Sequence, residues 1–199
     1  MEETNVDVVL ALFWEMWYLL VFSDKKKSAG YAWGLMGLTV KLAQSIGLHR
    51  NTGKVKVIPE EVEKRRFLFW ELLSLDARLS LSLGRPPSLT LNHVDSERPT
   101  YLPSEGVDLA NSSHHYLEWS HTFYIHCMTP VLEAISQPSS HLGYQSILDL
   151  DRRIRDFPIP EYLKHCNGYE SRAVMMQKGA VSMILETGRV HFFFYQNIN

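Results

Sequence analysis

Apolar residues recur along most of this chain at spacings of three and four, the period of an α-helix. The clearest stretch is residues 59–87, PEEVEKRRFLFWELLSLDARLSLSLGRPP. Pro59 suits a first helical turn, and Glu60, Glu61 and Glu63 place negative charge near the positive helix N-terminus. Gly84 followed by Pro86 is a stop signal. The spacing predicts one helix of roughly 24 residues, about 36 Å long. Val62, Trp70, Leu73, Ala77 and Leu81 fall on one side of it. Leu68, Leu72, Leu75, Leu79 and Leu83 fall on the other, leaving Lys64, Glu71 and Arg78 on a narrow outward strip. A helix with two apolar stripes is expected to run between other helices. Arg66 and Asp76 are charges set against those stripes, and an unpaired buried ion is costly. A structural ion pair to a neighbouring element is the expectation for each, with a ligand or switch contact as the alternative.

The same period predicts a helix over residues 6–23 and a second from near Ser28, a suitable N-cap, to about Ile46. Lys25, Lys26 and Lys27 read as a solvated turn between them. Trp33, Met36, Val40 and Ala43 line the second helix, and Gly34 and Gly37 suggest close approach by a neighbouring helix. Gly47 fits a Schellman ending, with Leu48 packing back on Ala43. His49 follows the helix C-terminus, where the dipole would favour a cation. Residues 51–58 read as a connecting loop and 85–113 as a long loop broken by Pro86, Pro87, Pro99 and Pro103. A helix over 114–136 should kink at Pro130. Another over 144–156 turns Ile147, Leu150 and Ile154 inward, and a last one begins near Tyr169. The predicted class is all-α: a multi-helix globular array around the long central helix.

Composition changes this picture little. Of the 199 residues, 45% are hydrophobic and 21% charged, as in an ordinary globular domain. The net charge of −2 provides no broad basic field to draw the chain to nucleic acid. The run Val8–Phe22 is shorter than the roughly 20 apolar residues of a membrane span and contains Glu15, so it reads as a buried core helix. Only Cys127 and Cys166 are present, without a CxxC spacing, which argues against a zinc finger or disulfide framework within this chain.

Candidate chemistry concentrates at His114, His115, Glu118, His121, His126 and Cys127. Glu118 and His121 have the Glu-x-x-His spacing of helical di-iron proteins, but that chemistry needs a second such motif and none is present. Cys127 beside His126 does not make a catalytic dyad, because adjacent helical residues diverge. No G-x-S-x-G elbow or Gly-rich phosphate loop occurs. The expectation is therefore no catalytic residue, no metal ligand and no cofactor, with a helical enzyme or metal- or cofactor-binding protein as the alternative.

Ordered landmarks carry a family resemblance. Trp33 and Gly37 precede Val40-Lys41-Leu42-Ala43, then Gly47-Leu48-His49-Arg50 and Glu63-Lys64-Arg65-Arg66. Phe69-Trp70, Leu75-Asp76, Gly84-Arg85-Pro86, Val94-Asp95 and Pro99 follow. Over residues 30–100 this resembles the fungal-specific transcription factor domain, the regulatory middle region of fungal binuclear zinc-cluster factors. Arg189-Val190-His191 before Phe192, Phe193 and Phe194 is a loose version of the family's closing motif.

The resemblance implies one helical regulatory domain over 1–199, partial, from a nuclear protein. Its partners would be transcriptional co-regulators or a small-molecule effector, with a dimer possible and no membrane. DNA and zinc would belong to a six-cysteine module that these residues do not contain, which suggests a fragment cut at both ends. The motif residues Trp33, Gly37, Gly47, Leu48, His49, Arg50, Arg66, Trp70, Asp76, Gly84, Arg85 and Pro86 are expected to be structural or regulatory. Arg85, fixed between Gly84 and Pro86, is expected to meet a carboxylate on another helix, with an exposed anchor for a ligand or partner as the alternative.

Overall fold

The computed structural model describes residues 5–23, 25–51, 58–100, 113–136 and 143–160, with the backbone alone at 25–27, 113–115 and 135. These residues form helices and loops without a strand. The chain divides into two compact units, residues 1–100 and 101–199.

In the first unit α1 spans Val6–Phe22, α2 Lys25–Ser45 and α3 Pro59–Leu83. Asn5 caps α1 by accepting from the Val8 N–H at 3.0 Å. The helix buries only the stripe Val6, Val9, Phe13 and Met16. Its outer side leaves Trp14 62% and Phe22 75% exposed, so the expected core helix is a one-faced one. Within this unit it packs chiefly on α2, and a single contact face can bury only one stripe.

The second helix starts at Lys25, not Ser28. Lysine is a good helix former, so the helix extends back through the three lysines that had read as a turn. At its end Gly47 takes φ 75°, and the Leu48 N–H reaches the Ala43 carbonyl at 3.0 Å. That is the expected Schellman ending, and Ala43 and Leu48 are both buried.

The central helix has Pro59 in its first turn and Gly84 at its end with φ 61°. Arg85 N–H donates to the Ser80 carbonyl at 2.9 Å, closing a second Schellman motif. Apart from Val62 at its start and Leu83 at its end, which are partly exposed, both expected stripes are buried. Lys64 is exposed, while Glu71 and Arg78 are partly so. Arg78 lies over the Trp17 ring at 5.5 Å, which ties the strip to α1. After α3 the chain runs as loop to residue 100, with a 3₁₀ turn at Leu91–His93.

In the second unit α4 spans Ser113–Phe123 and α5 Thr129–Ser136, joined by a π-helical turn over Tyr124–Met128. This is the form the interruption expected at Pro130 takes. Proline has no N–H to give to the carbonyl four residues back, and its ring crowds that carbonyl. The wider turn moves the ladder to a five-residue step, with the Thr129 N–H on the Tyr124 carbonyl. Helix α6, Tyr144–Arg155, buries Ile154 and leaves Ile147 and Leu150 half-buried. Trp119, Phe123 and Phe157 form an aromatic cluster with ring centroids 5.2 to 5.9 Å apart, and Trp119 Nε1 donates to the Pro158 carbonyl at 2.8 Å. The helix expected from Tyr169 and the motif at 189–194 lie outside the described residues.

Candidate functional site

The motif residues gather where the 84–100 loop lies on α2 and α3. They build two polar fasteners.

The first is centred on Asp76. Its Oδ2 accepts from the Ser88 N–H at 2.7 Å and the Leu89 N–H at 2.9 Å. Asp76 is 1% exposed, and its Oδ1 has no hydrogen-bond partner. Among the described residues the expected ion pair is absent: two backbone N–H groups take the place of a cation. Burial pushes this carboxyl up to about 6, while the bonds from Leu89 and Ser88 pull the other way. Gly37 lies beneath the same loop, with the Ser88 hydroxyl 3.7 Å from where a Cβ would stand. The close approach expected at Gly37 is therefore by the loop, and at Gly34 nothing lies within 4 Å.

Arg85 also departs from expectation. Its guanidinium lies over the Trp33 ring, 4.9 Å from the centroid, and among the described residues it pairs with no carboxylate. Gly84 and Pro86 aim the side chain across to α2, where its guanidinium lies 3.8 Å from where a Cβ at Gly30 would stand. An aromatic face satisfies a guanidinium through its quadrupole and leaves the planar donors at the edge free.

The second fastener joins the end of α2, the first half of α3 and residues 95–100. The His49 carbonyl accepts from the N–H groups of Asp95 and Ser96 at 3.1 and 3.2 Å. Asn51 N–H donates to Asp95 at 3.0 Å, and the Asn51 side chain donates to Glu97 at 3.0 Å. Arg66 bridges Glu63 at 2.9 Å and Glu97, the structural ion pair expected of it. Glu63 in turn accepts from the Thr100 N–H at 2.7 Å. Trp70, 5% exposed, donates Nε1 to the Glu97 carbonyl at 3.0 Å. Arg50 and Asp95 stand 3.7 Å apart but are mostly solvated, so that pair contributes little. The expected His49 cation does not fit this setting: burial and the Arg50 charge depress its pKa, and Asp95 only partly offsets them.

Residues outside the motif list complete the arrangement. Arg65 reaches the Ile46 carbonyl at 2.9 Å, satisfying an orphan group at the end of α2. Ser88, Leu89 and Glu97 matter equally, and no periodicity marks them, because each acts through a loop backbone group or a long-range pair.

Clefts among the described residues accompany these features in each unit. One of about 490 Å³ is lined by residues that include Asp7, Glu61, Lys64 and Arg65. Its charges are mixed and partly engaged, Lys64 with Asp7 at 3.5 Å and Arg65 with Ile46. Another, about 400 Å³, lies against Trp119 and Phe157–Pro160. The metal-like stretch is dispersed: His121 is buried while Glu118 and His126 are exposed, and no three metal-ligating side chains are grouped among the described residues. Cys127 is buried, and burial pushes its thiol up to about 11.

Comparison with known proteins places this geometry. The model of the fungal specific transcription factor domain matches residues 1–127. An uncharacterised transcriptional regulatory protein of Schizosaccharomyces pombe is 24% identical over 153 residues, 72% of this chain and 20% of that protein. The acetamidase regulatory protein of Emericella nidulans is 29% identical over 105 residues, covering 52% of this chain and 13% of the relative. The Fusaridione A cluster transcription factor of Fusarium heterosporum is 33% identical over 92 residues, covering 46% and 17%. The chain thus spans a fifth or less of these relatives. No solved structure matches it.

Proposed function

The chain belongs to the family of the fungal specific transcription factor domain, and we propose that it regulates transcription through protein contacts rather than by catalysis. The observation that carries this reading, beside the family match over residues 1–127, is how the motif residues are used. Asp76, Arg66 and Trp70 hold the loop onto α3, Asp76 facing backbone N–H groups and Arg66 engaging the Glu97 carboxylate. That arrangement stiffens a surface; it does not converge on a reacting atom. In this reading the protein works in the nucleus, and sequence-specific DNA contact and zinc belong to another module of the factor. Co-regulators meet the first unit. A small-molecule effector is the second reading, favoured by the polar cleft near Lys64 and Arg65, but those charges are partly engaged within the chain.

The test fuses the 199 residues to a heterologous DNA-binding module in yeast and reads a reporter. Output should differ from that of the module alone, and Trp70→Ala should abolish the difference. Identical output with and without a stably folded chain would refute the regulatory role.

A further inference from the structure

We propose that the exposed strip of α2 beside Arg85 docks an acidic, apolar peptide segment of a partner protein, with Arg85 as its anchor; this rests on the protein-contact reading above. Arg85 is exposed and stacked on Trp33, its guanidinium 3.8 Å from where a Cβ at Gly30 would stand. Its backbone is pinned on one side by the bond to Ser80 and on the other by Pro86. A guanidinium so held has lost much of its rotamer freedom in advance, and its planar fork matches a carboxylate. Beside it, Tyr31, Gly34 and Leu38 follow one another at helical spacing, all exposed, with Tyr31 at 60% and Leu38 at 54%. A Cβ at Gly34 would meet nothing within 4 Å, so the strip has an open notch between two apolar side chains.

Charge selects the occupant. The α2 sequence carries four lysines and no acid, in a chain whose net charge is −2. Lys26 and Lys27 precede Gly30 by one helical turn, and Lys41 is exposed beyond Leu38. The strip is therefore apolar in the middle, with the Arg85 guanidinium beside it and Lys41 beyond its far end. A nucleic acid would find the charges but no use for the notch, and the chain as a whole offers it no positive field. An acidic peptide with apolar side chains meets both features: a carboxylate on the Arg85 fork and an apolar side chain over Gly34.

Fluorescence anisotropy with the whole chain tests this, using a labelled helical peptide of roughly three turns built from aspartate and leucine. Binding is expected to weaken with salt and to be lost when asparagine replaces aspartate. Arg85→Gln should weaken it by about tenfold or more, the scale of one charged hydrogen bond, and Arg85→Lys should fall between. Gly34→Leu keeps the argument testable if Arg85 variants unfold. It should hold or raise the melting temperature, since leucine is the better helix former, yet weaken binding by filling the notch. Equal binding of the asparagine peptide, or indifference to both substitutions, would overturn the proposal. So would tighter binding of a DNA duplex of matched charge, or a dimer in light scattering that Arg85→Gln dissolves, which would make a second copy the occupant. Peptide binding together with a reporter indifferent to the chain would keep the site and sink the regulatory reading. A responsive reporter without peptide binding would do the reverse.

Discussion

The buried Asp76 carboxylate should make the first unit more stable at mildly acidic pH, a reversal of the usual behaviour of carboxylates. Folding takes this side chain to 1% exposure and gives it two backbone N–H donors but, among the described residues, no cation. Its pKa rises from 3.8 to about 6 because burial outweighs those two bonds and a further one from the Ser88 hydroxyl. Between these values the folded state holds the proton and the unfolded state does not. Stability contributed by this group is therefore greatest below pH 4 and is lost as pH rises through 6. A shift of about two units corresponds to about 3 kcal/mol between the two limits. The proton has a natural seat on Oδ1, which has no partner, so the two bonds to Oδ2 survive protonation. Other carboxylates titrate in the same window with the opposite sign, so the assay is a difference. Urea stability of the wild type and of Asp76→Asn is measured from pH 4 to 7 by hydrogen exchange of the α3 amides. The asparagine oxygen can accept the same two bonds and cannot titrate. Wild type should gain on the variant by up to about 3 kcal/mol as pH falls. Parallel profiles, or a wild type that loses ground in acid, would refute the reasoning.

Three further outcomes follow from the same geometry. Trp70→Ala should cost about 3–5 kcal/mol in urea denaturation, since it empties a core site and removes the indole bond to the Glu97 carbonyl; an unchanged midpoint would contradict its place in the core. Gly84→Ala should cost about 1–2 kcal/mol, because φ 61° is unfavourable with a Cβ although nothing obstructs the space, and thermal melting reads the loss. Cys127 should resist iodoacetamide at pH 8 in the folded chain, as a buried thiol with a pKa near 11 is almost wholly protonated; site-resolved mass spectrometry showing rapid alkylation there would count against it.

What could be read from the residues alone depended on whether the controlling interaction was local. Pro59, Gly47 and Gly84 mark helix ends through their own backbone preferences, and all three do so here. The two stripes of α3 follow from period alone, and the burial matches them along most of the helix. The ion pair of Arg66 was legible because a charge set against an apolar stripe needs a partner, which Glu97 in the loop supplies. Asp76 and Arg85 were not, because their partners are a loop backbone and an aromatic face, which no spacing announces. The exposed side of α1 was hidden for a related reason: apolar content says that a helix can be buried, not how many faces its neighbours cover. The π turn was visible only as a proline.

The course of the 84–100 loop explains why those long-range partners occur together. Its anchors descend α3 from Ser80 through Asp76, Trp70 and Arg66 to Glu63 as the loop ascends from Arg85 to Thr100. Seventeen residues of helix rise about 26 Å. Fifteen residues of loop could span about 50 Å if extended. The loop therefore carries roughly twice the length its return requires. The surplus is taken up by the 3₁₀ turn at 91–93 and by a detour to the His49 carbonyl and Asn51 just after α2. That detour is what makes the loop a brace between α2 and α3 and not a mere connection. Asp76 fixes the brace where it leaves Pro86, and Arg66 with Glu97 fixes it near its far end. Loosening either fastener would free the loop to shift against α2, and the perch of Arg85 on Trp33 depends on that registration.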